Sequence, residues 1–166
     1  MTVGINMQLD GCTFSDYVQL MSCAYTGPMH VTRDVVLPVS MSEAWRLLTD
    51  ERELAEWLGV TVDLDVTPGA ATAFVERDGT VRRAVFDVVE DEHRLGFVWW
   101  TDDTEPTRVD FQLEESEAGT KVVVTEQARA SVAGGIRRLP IGAFWSDRLF
   151  DLECSVLCAQ DVVCRR

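Results

Sequence analysis

Histidine is nearly missing from this 166-residue sequence. It occurs twice, and neither copy stands near another metal-binding or nucleophilic group at a recognisable spacing. His93 sits in a turn signal with no serine or cysteine at motif distance, so no nucleophilic triad is written into the chain. Basic residues are also scarce, 15 against 28 acidic, for a formal net charge of −13. Such a chain repels phosphate backbones and anionic head groups, which argues against nucleic acid or a membrane surface as partner. No apolar run reaches the roughly twenty residues of a membrane span. Asp10, Ser15, Asp16 and Gln19 interrupt the stretch where a secretory leader would lie, so the expected location is cytoplasmic. Five cysteines, Cys12, Cys23, Cys154, Cys158 and Cys164, are odd in number and confined to the two ends. They read as reduced thiols, not as a disulfide framework. A zinc site is not indicated, because Cys154 and Cys158 lie one helical turn apart with His30 and His93 far away in sequence. Gly134-Gly135 lacks the lysine and hydroxyl residue of a phosphate loop and reads as a hinge. No metal or other cofactor is expected.

What is present suits one core. The chain is 46% hydrophobic and 26% charged, enough for a single well-formed domain and too short for two. Residues 1–29 are mixed in character, with Phe14, Val18 and Met21 at helical steps, and Gly27-Pro28 separates them from the rest. We therefore divide the chain into an extension, 1–29, and a domain, 30–166. Alternation over His30–Pro38 predicts a strand. Ser40 with Glu43, then Asp50 with Glu53, predict two short helices over about Met41–Leu48 and Glu51–Leu58, the second stopped by Gly59. Six further strands follow, at about Val60–Val66, Ala71–Arg77, Thr80–Glu90, Arg94–Thr101, Thr107–Glu115 and Thr120–Gln127, divided by turn signals of which Asp78-Gly79 is the strongest. Alternation points Val62, Leu64, Val66, Leu95, Phe97, Trp99, Val109, Phe111, Leu113, Val122 and Val124 inward, leaving Asp63, Asp65, Arg108, Asp110, Gln112 and Glu114 on a wet face. After Pro140, a stripe through Ile141, Trp145, Leu149, Leu152, Val156 and Ala159 marks a long helix able to cover the apolar face. The fold class expected is α+β, a curved seven-stranded antiparallel sheet with two short helices around a long C-terminal helix.

That order resembles the START-like helix-grip superfamily, shared with the major birch-pollen allergen and polyketide cyclases. Within it the sequence is most similar to the family named for activators of the heat-shock-protein ATPase. Leu37-Pro38, Glu43-Ala44-Trp45, Leu48-Thr49-Asp50, Trp57-Leu58-Gly59, Pro68-Gly69, Asp78-Gly79, Arg94-Leu95, Phe97, Trp99 and Gly119-Thr120 carry the resemblance over about 31–127. It implies a cavity between sheet and terminal helix for a small hydrophobic or aromatic ligand. It implies no shared catalytic motif.

Six residues are candidates for such a site: Trp99, Phe111, Val124, Glu126, Trp145 and Arg148. The aromatic residues and Val124 would bury the ligand, with Phe74 and Phe86 as neighbours whose face the pattern leaves open. Glu126 continues the inward positions Val122 and Val124; it would orient a ligand or accept a proton, or else sit at the strand end near solvent. Arg148 falls near the centre of the helix stripe and would pair with Glu126, or else extend its head to water. Phe150 and Leu157 fall on the opposite side of that helix, so residues 13–21 or a second subunit in a homodimer would cover it. Three functions stay open: a binding protein, a cyclase- or dehydratase-like enzyme using Glu126, and a module contacting a chaperone or other protein.

Overall fold

The computed structural model describes residues 29–128 and 141–164. Residues 1–28 of the extension, with Phe14, Val18 and Met21, the cysteines Cys12 and Cys23, and the proposed hinge at Gly134-Gly135 lie outside the described residues. Seven strands form one antiparallel sheet: β1 (Met29–Leu37), β2 (Val60–Val62), β3 (Ala71–Glu76), β4 (Val81–Glu90), β5 (Arg94–Trp100), β6 (Thr107–Ser116) and β7 (Gly119–Ala128). Their order is β1-β7-β6-β5-β4-β3-β2, a meander from β2 to β7 with β1 added beside β7. The first two strands thus lie at opposite edges. The chain crosses between them as α1 (Met41–Thr49) and α2 (Glu51–Leu58), and it ends in α3 (Ile141–Cys164). This is the curved α+β architecture expected.

The helix boundaries follow from local chemistry. Ser40 and Glu43 form a reciprocal capping box at the start of α1, with Ser40 N donating to Glu43 Oε2 at 3.0 Å and Glu43 N to Ser40 Oγ at 3.3 Å. Hydrogen bonds from the Ser40 side chain and backbone hold the Glu43 carboxyl below the usual carboxylate range. Asp50 ends α1 and caps α2, accepting from Arg52 N and Glu53 N. Gly59 then turns the chain out of α2 in the left-handed region, at φ +70°.

Two expectations are corrected. The second strand stops after Val62, because side chains take up the next backbone groups: Leu64 N donates to Glu51 Oε2, Thr67 N to Asp65 Oδ1, and Thr72 Oγ1 bonds both Asp65 N and Asp65 O. Leu64 and Val66 still pack against the core. The hairpin at Asp78-Gly79 has positive φ only at Gly79, with Gly79 N bonded to Glu76 O and Glu76 N to Thr80 O. That is a longer loop closed by a glycine bulge, not the two-residue turn expected.

The core lies between the sheet and the helices. Trp145, Leu149, Leu152 and Val156 of α3 meet Phe97, Trp99, Phe111 and Val124 of the sheet, all buried. Ala159, expected on that stripe, is exposed, and the side chain of Ile141 lies outside the described residues. Phe150 and Leu157 are 64% and 46% exposed, so nothing among the described residues covers the outer side of α3.

The turn between β6 and β7 depends on glycine. Gly119 has φ +132°, and a Cβ there would lie 2.1 Å from the Leu37 carbonyl oxygen and 2.9 Å from Pro38 Cα, both backbone atoms. Gly119→Ala is therefore expected to cost about 2–4 kcal/mol of stability, read as a lower urea midpoint at unchanged slope; a loss below about 0.5 kcal/mol would show that the turn relaxes freely. Glu43 gives a pH test. Its folded pKa is depressed, so its contribution is complete above the ordinary value of about 4.3 and is lost as pH falls through the folded value. Glu43→Gln keeps an acceptor without the charge, so it should be less stable at pH 7 by about 0.5 kcal/mol and match the parent once pH falls below the depressed folded value; a pH-independent gap in thermal unfolding would contradict this.

Candidate functional site

Alternation carries Glu126 inward with Val122 and Val124, and the register sets it beside Val109 of β6 and Val31 of β1. Glu126 is 4% exposed, well below the surface. Three donors reach it from three elements. Trp99 Nε1 of β5 donates to Oε1 at 2.9 Å, the Thr107 hydroxyl of β6 donates to the same oxygen, and Trp145 Nε1 of α3 donates to Oε2 at 2.7 Å. Trp99 and Thr107 are neighbours in the β5–β6 ladder, which explains how both reach one oxygen. No cation among the described residues pairs with Glu126. A buried carboxylate costs several kcal/mol in lost hydration, about what charge-assisted hydrogen bonds must offset.

The carboxylate sits at one end of an aromatic cluster. Trp145 stacks on Trp99, with centroids 5.6 Å apart and planes inclined by 21°, and meets Phe111 edge-on at 5.5 Å. Phe144 packs against both tryptophans, at 6.0 Å from Trp99 and 5.1 Å from Trp145. Phe74 and Phe86, whose face the pattern left open, point inward and are buried. The strand carrying Phe86 alternates poorly because the β4–β5 register shifts between Phe86 and Val88. The concave side faces α3 as expected, but aromatic side chains take up most of the room. The cavity between Trp57, Phe74, Phe97, Phe111 and Trp145 measures about 10 Å³, space for about one water. Phe111 and Trp145 line it; Trp99 and Val124 are buried in the same core without lining it.

Arg148 does not join Glu126. Trp145, one turn earlier, takes the position facing the carboxylate, and Arg148 turns toward the end of α2. Its Nη1 bonds Asp151 at 3.1 Å and would lie 3.0 Å from a Cβ built on Gly59. There the guanidinium meets the negative end of the α2 dipole. Its Cζ stands 5.4 Å from the Phe144 ring centroid, and its Nε is buried without a hydrogen-bond partner.

Thr107 and Arg82 escaped the sequence reading. Thr107 closes the Glu126 shell. Arg82 lies over the Trp99 ring, 4.3 Å from its centroid, with Nε and Nη2 bonded to Glu76 Oε1 at 3.1 and 2.8 Å. Arg82 shares the inner face of β4 with Ala84 and Phe86, but Val81 and Val85 on the other face give an equally apolar pattern and hide the alternation. His93 is exposed, its Nδ1 2.7 Å from Asp91 O, as a turn residue should be. No group of three or more metal-ligating residues occurs among the described residues. No described helix is long and apolar enough to cross a membrane.

Comparison with known proteins agrees with this geometry. The family described as Activator of Hsp90 ATPase homolog 1-like protein matches residues 38–142, well over half of the chain. The chain belongs to this family. Its fold is the START-like helix grip, a ligand-binding fold in general. Similar solved structures include DynU16, a protein in the dynemicin biosynthetic locus, at 26% identity and a TM-score of 0.66 over 75% of this chain. This chain spans 45% of the DynU16 chain, less than half. MLL2253 of Mesorhizobium loti is 21% identical with a TM-score of 0.68, covering 79% of this chain and 98% of its own. CalU16 of Micromonospora echinospora is 18% identical with a TM-score of 0.61, covering 78% and 75%. The latter two likenesses concern the fold alone. No match was found among curated proteins.

The Glu126 shell makes a stability test. Glu126→Gln replaces one acceptor by an NH2 that opposes an indole N–H or the Thr107 hydroxyl, at an expected cost of about 1–3 kcal/mol. Glu126→Leu leaves three buried donors unpaired and should cost more than the glutamine variant. Urea titration of the two decides this, and a leucine variant as stable as wild type would show that the donors do not depend on the carboxylate.

Proposed function

We propose that this protein binds a small, mainly aromatic molecule between the sheet and α3, with a ligand N–H or O–H received by Glu126. The single observation that supports this reading most is the buried carboxylate held by Trp99, Thr107 and Trp145, with no cation paired to it among the described residues. Apolar residues of similar size could give a core as much stability, so stability alone does not call for a buried charge. A site for a hydrogen-bonding ligand needs a few polar groups set deep in an apolar surround. Membership of a ligand-binding fold family and likeness to a protein from a biosynthetic locus point the same way.

The cavity bounded by the described residues, about 10 Å³, is far below the roughly 300–1,000 Å³ of small-molecule pockets, so a ligand seated there requires side chains to move. Trp145 is the side chain best suited. It comes from α3, not from the sheet, and its hydrogen bond on Oε2 can be exchanged for a ligand donor without leaving that oxygen unpaired. The ligand rings then replace the indole against Trp99 and Phe111.

Native mass spectrometry of freshly purified protein, followed by titration with the neutral fluorophore N-phenyl-1-naphthylamine, tests the reading. A co-purified molecule or saturable one-to-one probe binding is expected. Trp145→Leu, which removes the indole that a ligand would have to displace, should raise probe affinity at least about tenfold while far-UV circular dichroism stays unchanged. Absence of both a bound mass and saturable probe binding would remove the proposal, as would probe affinity left unchanged in a folded Trp145→Leu protein.

A further inference from the structure

Two guanidinium groups stand over the aromatic cluster where a purely apolar ligand would need none. Arg82 projects from the inner face of β4 over Trp99, and Arg148 projects from α3 over Phe144. Trp99 and Phe144 are themselves in contact, so the two cations flank one aromatic pair. The backbone brings them to the same end of the sheet by a second route. Arg148 rests on Gly59, the next residue Val60 pairs with Glu76, and Glu76 holds Arg82. Their side chains are 22% and 30% exposed, which places them where the aromatic core meets water.

Neither guanidinium is saturated. Each offers five N–H donors in a planar fork. Arg82 uses Nε and Nη2 on Glu76, and Arg148 uses Nη1 on Asp151. The Arg148 Nε is buried and has no partner among the described residues, a cost that an added acceptor would relieve. Glu76 and Asp151 fix the orientation of the two forks while leaving donors for a second acceptor. An arginine lying over an aromatic ring is also weakly hydrated, which favours an oxyanion in place of its water. In a chain of net charge −13 the long-range field repels anions, so recognition has to come from such local contacts.

We infer that the ligand is an aromatic acid, whose rings lie against Trp99 and Phe111 and whose carboxylate or similar oxyanion is bound at the rim by Arg82 and Arg148. The inference rests on the proposed ligand site and adds the class of molecule that it takes. Glu126 receives the donor at the deep end, and the two arginines receive the anion at the shallow end. The ligand is thereby given both a direction and a charge.

Two fluorophores with the same anilinonaphthalene body separate this inference from the reading beneath it. N-phenyl-1-naphthylamine is neutral, and 1-anilinonaphthalene-8-sulfonate differs only by its sulfonate. The protein is expected to bind the sulfonate at least about tenfold more tightly than the neutral probe, with a preference that shrinks as salt is raised. Arg82→Gln and Arg148→Gln should each reduce the ratio several-fold with little change in affinity for the neutral probe. Arg83→Gln, which removes an exposed arginine paired with Asp102, should leave the ratio unchanged. Equal affinity for the two probes, a ratio that survives both rim variants, or one that falls as much in Arg83→Gln would overturn the aromatic-acid assignment while leaving the ligand site standing. Failure of both probes, with no bound molecule in native mass spectrometry, would overturn the site itself.

Discussion

The Glu126 carboxylate is the constraint on which the arrangement around it depends. A charge in an apolar interior must be surrounded by donors or it destabilises the fold by several kcal/mol. Here the donors come from β5, β6 and α3. Satisfying Oε2 fixes the Trp145 indole and with it how far α3 has slid along the sheet. Satisfying Oε1 fixes Trp99 and Thr107 across one rung of the β5–β6 ladder. Once both indole N–H groups point at one carboxylate, the two rings lie nearly parallel and stack, and Phe111 and Phe144 fill their edges. The polar contact thus sets the geometry, while burial of the rings supplies most of the favourable free energy.

The outer face of the same strands is organised by charge. Arg94 makes a bidentate pair with Asp110, and Arg108 pairs with Asp87 and reaches Asp110 at 3.6 Å. Asp87 sits in the bulge of β4, and Gly96 leaves the space across which Arg108 reaches it; a Cβ there would lie 3.0 Å from Arg108 Nη2. Hydrogen bonding to Asp110 and to Asp87 holds the Arg94 and Arg108 guanidinium groups above their ordinary pKa. Such partly exposed pairs are each worth only about 0–1 kcal/mol. Their consequence is orientation: β4, β5 and β6 are tied on the outside where Phe86, Trp99 and Phe111 point inward.

Most of the fold was legible because its signals are local. Capping residues, the left-handed glycine after α2 and strict alternation in β5, β6 and β7 each report on a few neighbouring residues, and the structure keeps them. The exceptions are places where side chains replaced the ladder. Asp65 and Thr72 end β2 early, the bulge at Asp87 blurs β4, and Asp110, placed on the wet face by alternation, is 9% exposed because arginines lie over it. The inward direction of Glu126 was legible for the same reason as that of Val124. Its partners were not, because hydrogen bonds among β5, β6 and α3 depend on tertiary approach and on which tip of a tryptophan points where. Charge matching alone suggested Arg148, whereas two indole groups and a hydroxyl took that role.

The filled hollow and the binding fold are consistent on energetic grounds. At about 24 cal/mol per Å³, a dry cavity of 300 Å³ kept open permanently would cost about 7 kcal/mol, comparable to the whole stability of a typical domain. A protein that binds aromatic molecules avoids that cost if its own aromatic side chain occupies the space and can leave it. Trp145 has the needed properties. It matches a ligand ring in shape, it carries a donor for Glu126, and it belongs to the terminal helix and not to the sheet. The same features that complete the core therefore describe what could replace it: a flat apolar body with one hydrogen-bond donor.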